Sequence, residues 1–412
     1  MARILDVYLR EQNVGRLEQD DSGSLWFTYN GDWLELDSAV PLSASLPLRT
    51  EPFRRNECRP FFAGLLPEET SRALIAKAFG VSDKNDFAIL ERIGGECAGA
   101  VSLMPPGDLP MGGTARYREI SPAELAEKIA DLPQHPLLAG EEGIRLSLAG
   151  AQGKIAIAIR DGKFFLPLNG SPSTHILKPQ GTHFEGLVDN EFFCMQLAVA
   201  VGLEVAPVLI GIADGARFLQ VERYDRKELP SGDLKRVHQE DFCQAMGIPP
   251  ELKYQQEGGP NLKKCFEIVR TVSSVPGPDV LRLFDAVIFN YLIGNNDAHG
   301  KNFSLLYDDE RARFAPLYDL VCTQAYGGLT AEMAMKIGDE RNPQRIFTRD
   351  WRKFFEIASL GQAAATKRLK ALAEKVRNTV AEMDQASPGW SSCSSVVLKN
   401  CSNVLSLPWN EK

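Results

Sequence analysis

The sequence predicts an α+β fold: a β-rich N-terminal part with an extra subdomain at its start, followed by an all-α C-terminal lobe. Short apolar stretches separated by Gly, Asn and Asp turns recur through the first 224 residues, as is typical of strands. From residue 238 onwards apolar residues mostly recur at helical spacing. The chain has 412 residues, and at about 150 residues per domain this length predicts two or three domains.

Changes in composition divide the chain into four predicted segments. The first, 1–110, is an N-terminal subdomain that ends in a Pro- and Gly-rich linker. The second, 111–224, is a small lobe that contains a glycine loop and several strands. The third, 225–385, is the helical lobe. The last, 386–412, is a tail rich in Ser, Cys and Asn, which we expect to be partly ordered at best.

Periodicity and capping residues place the first helices. Residues 60–80 are predicted to form one helix and 86–93 a shorter one, before a strand over 96–104. A further helix is predicted over 121–131, because it begins with Ser at the N-cap, Pro in the first turn and Glu three residues after the Ser.

The small lobe is predicted to be mostly β. The expected elements are strands at 154–160, 163–168 and 174–180, a helix at 190–201, and strands at 205–213 and 216–224. The apolar run 192–213 has the length of a membrane span. Gly202, Glu204 and Pro207 interrupt it, so a buried helix and a buried strand are predicted and no membrane partner is expected.

Helical patterns dominate residues 238–295. A hairpin is then predicted, with strands at 303–308 and 311–318. Beyond the hairpin the chain is predicted to be helical to about residue 383.

Charge and cysteine usage exclude several classes. With 46 basic and 54 acidic residues the chain carries a formal charge of −8, so bulk charge does not favour nucleic-acid binding. The eight cysteines form no CxxC and no zinc spacing, which indicates a reducing cytoplasm. The N-terminus lacks the apolar core of a signal peptide. The isolated histidines His135, His183 and His238 are predicted to lie in loops or on the surface.

Residues 293–320 contain the set of side chains that phosphoryl transfer needs. One carboxylate must accept or orient the proton of the attacking hydroxyl, and an amide oxygen with a second carboxylate must hold Mg²⁺. Asp297 and Asn302 are five positions apart, like the catalytic-loop Asp and Asn of protein kinases. Asp319 follows the predicted hairpin, as the metal-binding Asp does. His299 follows Asp297, whereas the usual kinase His precedes it.

Each of these residues alone is better explained as a loop or capping residue, because Asn and Asp are common in turns. Asp297, Asn302 and Asp319 together, with a hairpin between the last two, favour the catalytic interpretation.

The upstream half supplies a candidate nucleotide clamp in the order of a kinase fold, small lobe before large. Lys178 lies on a predicted strand and Glu191 opens the next helix, so the two are candidates for an ion pair that holds the lysine at phosphates. Strand lysines are more often solvated. The loop 147–154 lacks the Walker A pattern, but Gly150 and Gly153 would let backbone amides approach phosphates. Residues 222–225 either face adenine through backbone groups or form an exposed charged turn.

The chain resembles the HipA-type serine/threonine kinase toxins of bacterial type II toxin–antitoxin modules. In the kinase half the motifs are SLAGAQGK (147–154), HILKP (175–179), VDNEFFC (188–194), VERYDR (221–226), EDFCQAMG (240–247), GNNDAHGKNFS (294–304) and APLYDL (315–320). In the N-terminal part they are NVGRL (13–17), PLSASLPL (41–48), FFAGLLPE (61–68) and IGGECAGAVSL (93–103). The motifs cover most of residues 1 to about 340, and the NDAHGKN stretch is the most specific of them.

The resemblance implies a bilobal, protein-kinase-like (HipA-like) fold that uses ATP and Mg²⁺. Asp297 and Lys178 would be the catalytic residues, Asn302 and Asp319 the metal ligands, and Ser147 the autophosphorylation site whose phosphate ejects the glycine loop and inactivates the kinase. The residues implied at ATP are Ala149, Gly150, Ala151, Gln152, Gly153, Lys154, Lys178, Glu222, Tyr224, Asp225, His299 and Lys301.

The resemblance also implies partners. These are a small helix-turn-helix (HipB-like) antitoxin, operator DNA bound mainly through the antitoxin complex, and a protein substrate of the aminoacyl-tRNA synthetase class, whose phosphorylation stalls translation. One departure from the family pattern is Gly153, where a larger residue, often Glu, is expected.

Two alternatives stay open. The chain could be a kinase-fold binding module that acts mainly as a transcriptional co-repressor with its antitoxin, although the intact Asp297, Asn302, Asp319 and Lys178 argue against a purely structural role. It could also be a small-molecule phosphotransferase, because the Asp–Asn spacing is shared and only the family likeness excludes that class.

Overall fold

A computed structural model describes residues 2–113, 115–150, 152–181, 184–308, 311–386 and 391–409. The N-terminal part is strand-rich, as predicted. Its elements are β1 (Arg3–Leu9), β2 (Gln12–Gln19), β3 (Leu25–Tyr29), α1 (Gly31–Leu34), β4 (Phe53–Arg54), α2 (Arg55–Gly64), α3 (Glu69–Ala78), α4 (Asp86–Ile93) and β5 (Val101–Met104). The strands form one antiparallel sheet in the order β4-β3-β2-β1-β5, and alternate residues of β3 are buried.

The single helix predicted over 60–80 is wrong, because two helices occupy this region. Helix α2 ends at Gly64, and α3 begins only at Glu69. Pro67 explains the break, since proline has no amide hydrogen to donate and disfavours helical backbone at Leu66 before it. The helix predicted over 86–93 is confirmed as α4.

The next part contains a second sheet. Its elements are β6 (Arg116–Ile120), α5 (Pro122–Asp131), β7 (Ile155–Arg160), β8 (Lys163–Leu168), β9 (His175–Pro179), α6 (Leu187–Ala200), β10 (Val208–Ala213), β11 (Ala216–Glu222), β12 (Arg226–Glu228), β13 (Leu234–Arg236), β14 (His238–Asp241) and α7 (Phe242–Ala245). Six strands follow the order β10-β11-β9-β7-β8-β6. The N-cap of α5 is confirmed, since the Ser121 hydroxyl accepts the Glu124 amide at 3.1 Å.

The apolar run 192–213 forms a helix and a strand, α6 and β10, as predicted. The predicted burial of the strand is wrong, because β10 lies at the edge of its sheet with Leu209 and Ile212 exposed. Among the described residues no helix is both long and apolar enough to span a bilayer. The strands β12, β13 and β14 were not predicted; their sequences are short and largely charged, so they show no apolar alternation.

The C-terminal part is mainly helical. Its elements are α8 (Leu262–Val272), α9 (Pro276–Leu292), β15 (Ser304–Asp308), β16 (Arg311–Phe314), α10 (Thr348–Ile357), α11 (Gln362–Ala386) and α12 (Ser391–Leu405). The predicted hairpin is confirmed, although its second strand ends at Phe314. The helical prediction for the stretch after residue 318 is wrong over 319–347, where the described chain forms no α-helix and its helical turns are short 3-10 turns.

The tail prediction is also wrong, because residues 391–405 form the helix α12. Cys393, Val397, Cys401 and Val404 are buried on one face of it, and the helix packs on α11 and α9. Cysteine acts here as a small apolar residue. The Ser and Asn residues between these positions masked the periodicity in the sequence.

The chain divides into two compact units. Unit 1 comprises 1–181, 209–250 and 306–311, and unit 2 comprises 182–208, 251–305 and 312–412. In unit 1 one continuous core runs from the first sheet to the second; it contains Phe27, Phe62, Leu146, Ile155 and Leu177. The four-segment division of the chain stays a prediction.

The prediction that His238 lies in a loop or on the surface is wrong. His238 is buried in unit 1, and its Nε2 lies 2.9 Å from the Leu42 carbonyl oxygen. His135 is exposed, as predicted, and lies beside Asp131. His183 falls outside the described residues.

Candidate active site

The loop that carries Asp297 begins where α9 ends, in unit 2. Gly294 adopts φ +72°, a left-handed conformation that ends a helix and that glycine adopts without strain. A Cβ at Gly294 would lie 2.7 Å from Val396 Cγ1 of α12, so this position also needs the close approach that glycine allows. Asp297 follows three residues later, with an exposed side chain. Its amide donates to Asn295 Oδ1 at 3.1 Å.

The structure brings Asn302 and Asp319 together. The Asn302 Nδ2 donates to Asp319 Oδ2 at 3.0 Å, across the 17 residues that contain the hairpin. Asn302 is buried, and its Oδ1 has no hydrogen-bond partner in the described structure. Asp319 adopts φ +58°, which is uncommon for a residue other than glycine; such conformations occur in turns and also cluster at active sites.

These two side chains fit a magnesium ion. A buried amide oxygen without a partner is costly, and Mg²⁺ prefers carboxylate and amide oxygens while keeping further positions for water or phosphate. The described residues contain no cluster of three or more His, Cys, Asp or Glu side chains that could form an all-protein cage. An Asn–Asp pair completed by phosphate oxygens needs no such cluster.

Tyr254 lies against Asp297, which sequence reasoning did not find. The Tyr254 hydroxyl donates to Asp297 Oδ1 at 2.8 Å, and its ring meets the His299 ring edge-on at 5.2 Å between centroids. Tyr254 belongs to an irregular segment 43 positions before Asp297. No local pattern marks it, because only the tertiary fold brings the two residues together.

His299 and Lys301 occupy the same loop and are both buried. The Lys301 carbonyl accepts the Tyr318 hydroxyl at 2.7 Å, and that hydroxyl also lies 2.7 Å from the Ser304 hydroxyl. These contacts fix the loop against the segment that leads to Asp319.

The glycine loop lies in unit 1 and is held by the turn between α2 and α3. Ser147 is fully buried; its hydroxyl donates to the Leu65 carbonyl at 2.8 Å and its amide to the Glu96 carbonyl at 2.8 Å. The Gly150 carbonyl accepts the Glu68 amide at 3.3 Å. The predicted phosphate-binding loop is therefore packed on the N-terminal part.

The rest of the loop is less constrained. Lys154 Nζ donates to the Ala149 carbonyl at 2.7 Å, folding the lysine back across the loop. Gln152 and Gly153 are half-buried, and a Cβ at Gly153 would meet no atom within 4 Å. The Cβ of the larger residue expected at 153 would therefore not clash. Ala151 lies outside the described residues.

Lys178 and Glu191 are both buried, which is uncommon for charged side chains. Lys178 lies on β9, in register with Leu219 of β11, in unit 1. Glu191 lies in the first turns of α6, in unit 2. Their ion pair stays a prediction.

The segment 222–225 is not the simple exposed turn that was one of the two expectations. Glu222 is exposed at the end of β11, and the Tyr224 hydroxyl donates to Gln239 Oε1. Asp225, however, is buried and paired with Arg223 at 2.8 Å and with Arg226 at 3.0 Å. Its carboxylate is thus engaged inside unit 1, and a nucleotide contact at this position would have to use backbone atoms.

Asp225 belongs to a buried ion cluster with Glu96, Arg223, Arg226 and Arg236. Glu96 Oε1 pairs with Arg226 at 2.8 Å and with Arg223 at 3.2 Å. Burial alone would raise the pKa of Asp225, but the charges of Arg223 and Arg226 outweigh it and lower that pKa well below its usual range. The cluster joins the N-terminal part to the second sheet within unit 1.

The fold and this site define a bilobal, protein-kinase-like protein with an additional N-terminal part. Residues 146–387 match the model of the HipA-like C-terminal domain, and residues 5–104 match that of the HipA N-terminal domain. The chain therefore belongs to the HipA family.

Similar proteins agree with this assignment. The chain is 49% identical over 385 residues to "Putative kinase Y4mE" of Sinorhizobium fredii, covering 92% of each chain. It is 30% identical over 392 residues to the serine/threonine-protein kinase toxin HipA of Shewanella oneidensis, covering 92% of this chain and 89% of that one.

A solved structure of Shewanella oneidensis HipA with HipB and its operator DNA matches with a TM-score of 0.85 and 29% identity, over 98% of both chains. The names of these relatives support kinase activity at a general level.

Proposed function

We propose that this chain is a serine/threonine protein kinase toxin that uses ATP and Mg²⁺, inactivates itself by phosphorylation at Ser147, and is neutralised by a small helix-turn-helix antitoxin. The observation that carries the proposal is the buried Asn302 Oδ1, which lacks a hydrogen-bond partner in the described structure and lies beside Asp319 in the loop of Asp297.

Each residue has a proposed role in phosphoryl transfer. Mg²⁺, when bound, would neutralise the charge of the ATP phosphates. Asn302 Oδ1 and the Asp319 carboxylate would hold it, and Lys178 would pair with phosphate oxygens. Asp297 would accept the proton of the substrate hydroxyl while that oxygen bonds to the γ-phosphorus and the bond to ADP breaks.

Further ATP contacts are proposed at positions implied by the resemblance. In the glycine loop these are the backbone groups at Ala149, Gly150, Ala151, Gln152, Gly153 and Lys154. Elsewhere they are the backbone near Glu222, Tyr224 and Asp225 and the side chains of His299 and Lys301. Glu191 is the proposed ion-pair partner of Lys178.

The burial of Ser147 supports self-inactivation. A phosphate adds roughly two negative charges, which a fully buried site bonded to the Leu65 carbonyl cannot accommodate. A phosphorylated Ser147 would thus have to leave this site and take the glycine loop with it. The loop would then no longer be available to the phosphates of ATP.

We also propose the partners. The Shewanella oneidensis structure contains HipB and operator DNA, which supports a helix-turn-helix antitoxin here and contact with operator DNA through the antitoxin complex. The family resemblance suggests an aminoacyl-tRNA synthetase as the protein substrate, and we propose that the chain acts in the cytoplasm. A second candidate function, co-repression with the antitoxin and without catalysis, is favoured by the same complex.

Nucleotide binding separates the two candidates. Titration of ATP by calorimetry, with and without Mg²⁺, should show binding that Mg²⁺ strengthens. The Asn302→Leu variant should lose that strengthening, because it replaces Oδ1 and Nδ2 by methyl groups on a side chain of the same branching. Asn302→Asp, which retains an oxygen ligand, should keep it. Absence of ATP binding by the native protein would favour co-repression.

A further inference from the structure

We propose that the C-terminal helix α12 positions the catalytic loop, acting through Asn400 and Gln324 on the residue that precedes Asp297. This inference rests on the proposed kinase function and deepens it. Helix α12 lies outside residues 146–387, which match the HipA-like C-terminal domain. All residues of the argument belong to unit 2.

Helix α12 contacts the start of the loop directly. Asn400 is fully buried, and its Nδ2 donates to the Tyr291 carbonyl at 3.2 Å and to the Leu292 carbonyl at 3.4 Å. These are the last two carbonyls of α9, and that of Tyr291 also accepts the Gly294 amide at 3.1 Å. One turn earlier in α12, Val396 lies where a side chain at Gly294 would be.

Gln324 extends the contact towards the catalytic residue. Its Oε1 accepts Asn400 Nδ2 at 3.4 Å, and its Nε2 donates to Asn296 Oδ1 at 3.0 Å. Its backbone amide also donates to the Gly294 carbonyl at 3.1 Å. A chain of side-chain amides therefore runs from α12 to the residue beside Asp297.

Both the backbone and the side chain of Asn296 form hydrogen bonds. Its amide donates to the Thr323 hydroxyl at 2.8 Å and its carbonyl accepts the Ala334 amide at 2.7 Å. Its Nδ2 donates to the Thr330 carbonyl at 3.1 Å, while its Oδ1 takes the bond from Gln324. These bonds fix the backbone next to Asp297, in addition to the contacts that Tyr254 and Asn295 make with Asp297 itself.

The residue type at position 400 favours a role for α12 in positioning the catalytic loop over a role in packing alone. Of the other buried residues of α12, Cys393, Val397, Cys401 and Val404 are apolar or thiol side chains, and Ser394 is a small hydroxyl. An aliphatic residue would pack at position 400 without the desolvation that a buried amide incurs. A role for Asn400 in positioning explains its side-chain amide, because Nδ2 donates both to the carbonyls at the end of α9 and to Gln324.

The test compares Asn400→Ala, Gln324→Ala and the double variant with native protein and with Ser402→Ala, an exposed change on the same helix. The first readout is the rate of Ser147 phosphorylation by intact mass at several ATP concentrations. The second, independent of activity, is hydrogen exchange of a peptide covering 293–303, with a peptide from α8 as internal reference.

We expect each single variant to slow phosphorylation about ten- to hundredfold without changing the KM for ATP. The double variant should be little slower than either, because both act along one chain of bonds. Exchange at 293–303 should be at least about tenfold faster, with α8 and Ser402→Ala unchanged.

Equal exchange at 293–303 in Asn400→Ala and Ser402→Ala would overturn the inference, whether or not the native protein phosphorylates itself. So would faster exchange in all peptides together with a raised KM, since that pattern indicates general destabilisation. A native protein that gains no phosphate while Asn400→Ala still frees the loop would count against the proposed function only.

Discussion

Glu240 should make the stability of unit 1 depend on pH. It is buried at the end of β14, where its Oε1 accepts the Ala44 amide at 3.0 Å and the Tyr307 hydroxyl, and its Oε2 accepts the Ser43 hydroxyl. Burial outweighs these bonds and raises the pKa of Glu240 from 4.5 to about 7. The folded state therefore favours the protonated side chain.

The direction and size of this pH dependence follow from the difference between the pKa values of Glu240 in the folded and unfolded states. Because the folded pKa is raised, the contribution of Glu240 is fully present below pH 4.5 and is lost as the pH rises through 7. A difference of about 2.5 pKa units corresponds to about 3 kcal/mol of unfolding free energy. His238 stacks on Tyr307 and has its pKa lowered by burial to about 4, so its contribution changes in the opposite direction.

Comparison with the Glu240→Gln variant isolates the contribution of Glu240 to the pH dependence of stability, because both proteins contain His238 and its contribution cancels. Glutamine keeps an oxygen for Ala44 and Tyr307 and can donate to the Ser43 hydroxyl, so folding should be retained. Urea unfolding of both proteins from pH 4.5 to 8 should show the native protein losing about 3 kcal/mol relative to the variant. A pH-independent difference between them would refute the reasoning.

Other variants test the site and the glycine loop. Tyr254→Phe removes the donor to Asp297 Oδ1 and should slow phosphorylation about three- to tenfold at unchanged KM for ATP; an unchanged rate would exclude a role for the hydroxyl. Gly150→Ala should destabilise the protein by about 1–3 kcal/mol in urea unfolding, because Gly150 adopts φ +109°. The matched variant Gly153→Ala should leave the free energy of unfolding unchanged, because a Cβ at this position meets open space. Equal destabilisation by the two substitutions would contradict this reasoning.

The sequence predicted those parts of the site that are marked by local spacing. Asp297 and Asn302 share one loop, and the hairpin after them brings Asp319 to Asn302, as the 17-residue separation suggested. Helices with clear caps were also predictable: α5 begins after the Ser121 cap. In these cases the signal and the structure are within a few residues of each other.

The parts that were missed depend on tertiary contacts. Tyr254 reaches Asp297 across 43 positions, and Glu96 pairs with Arg226 across 130 positions in the cluster that contains Asp225. The helix α12 is stable because α9 and α11 cover its Cys- and Val-lined face, which its own composition does not reveal. Propensity alone could not separate it from a loosely ordered tail.

The most direct test of the central claim is the intact mass of the protein after incubation with ATP and Mg²⁺, beside the Asp297→Gln variant. We predict the gain of one phosphate in the native chain, mapped to Ser147, and no gain in the variant, which should still bind ATP. Equal phosphorylation of both proteins would contradict the role of Asp297. No gain and no ATP binding by the native protein would contradict the assignment of a kinase site to these residues.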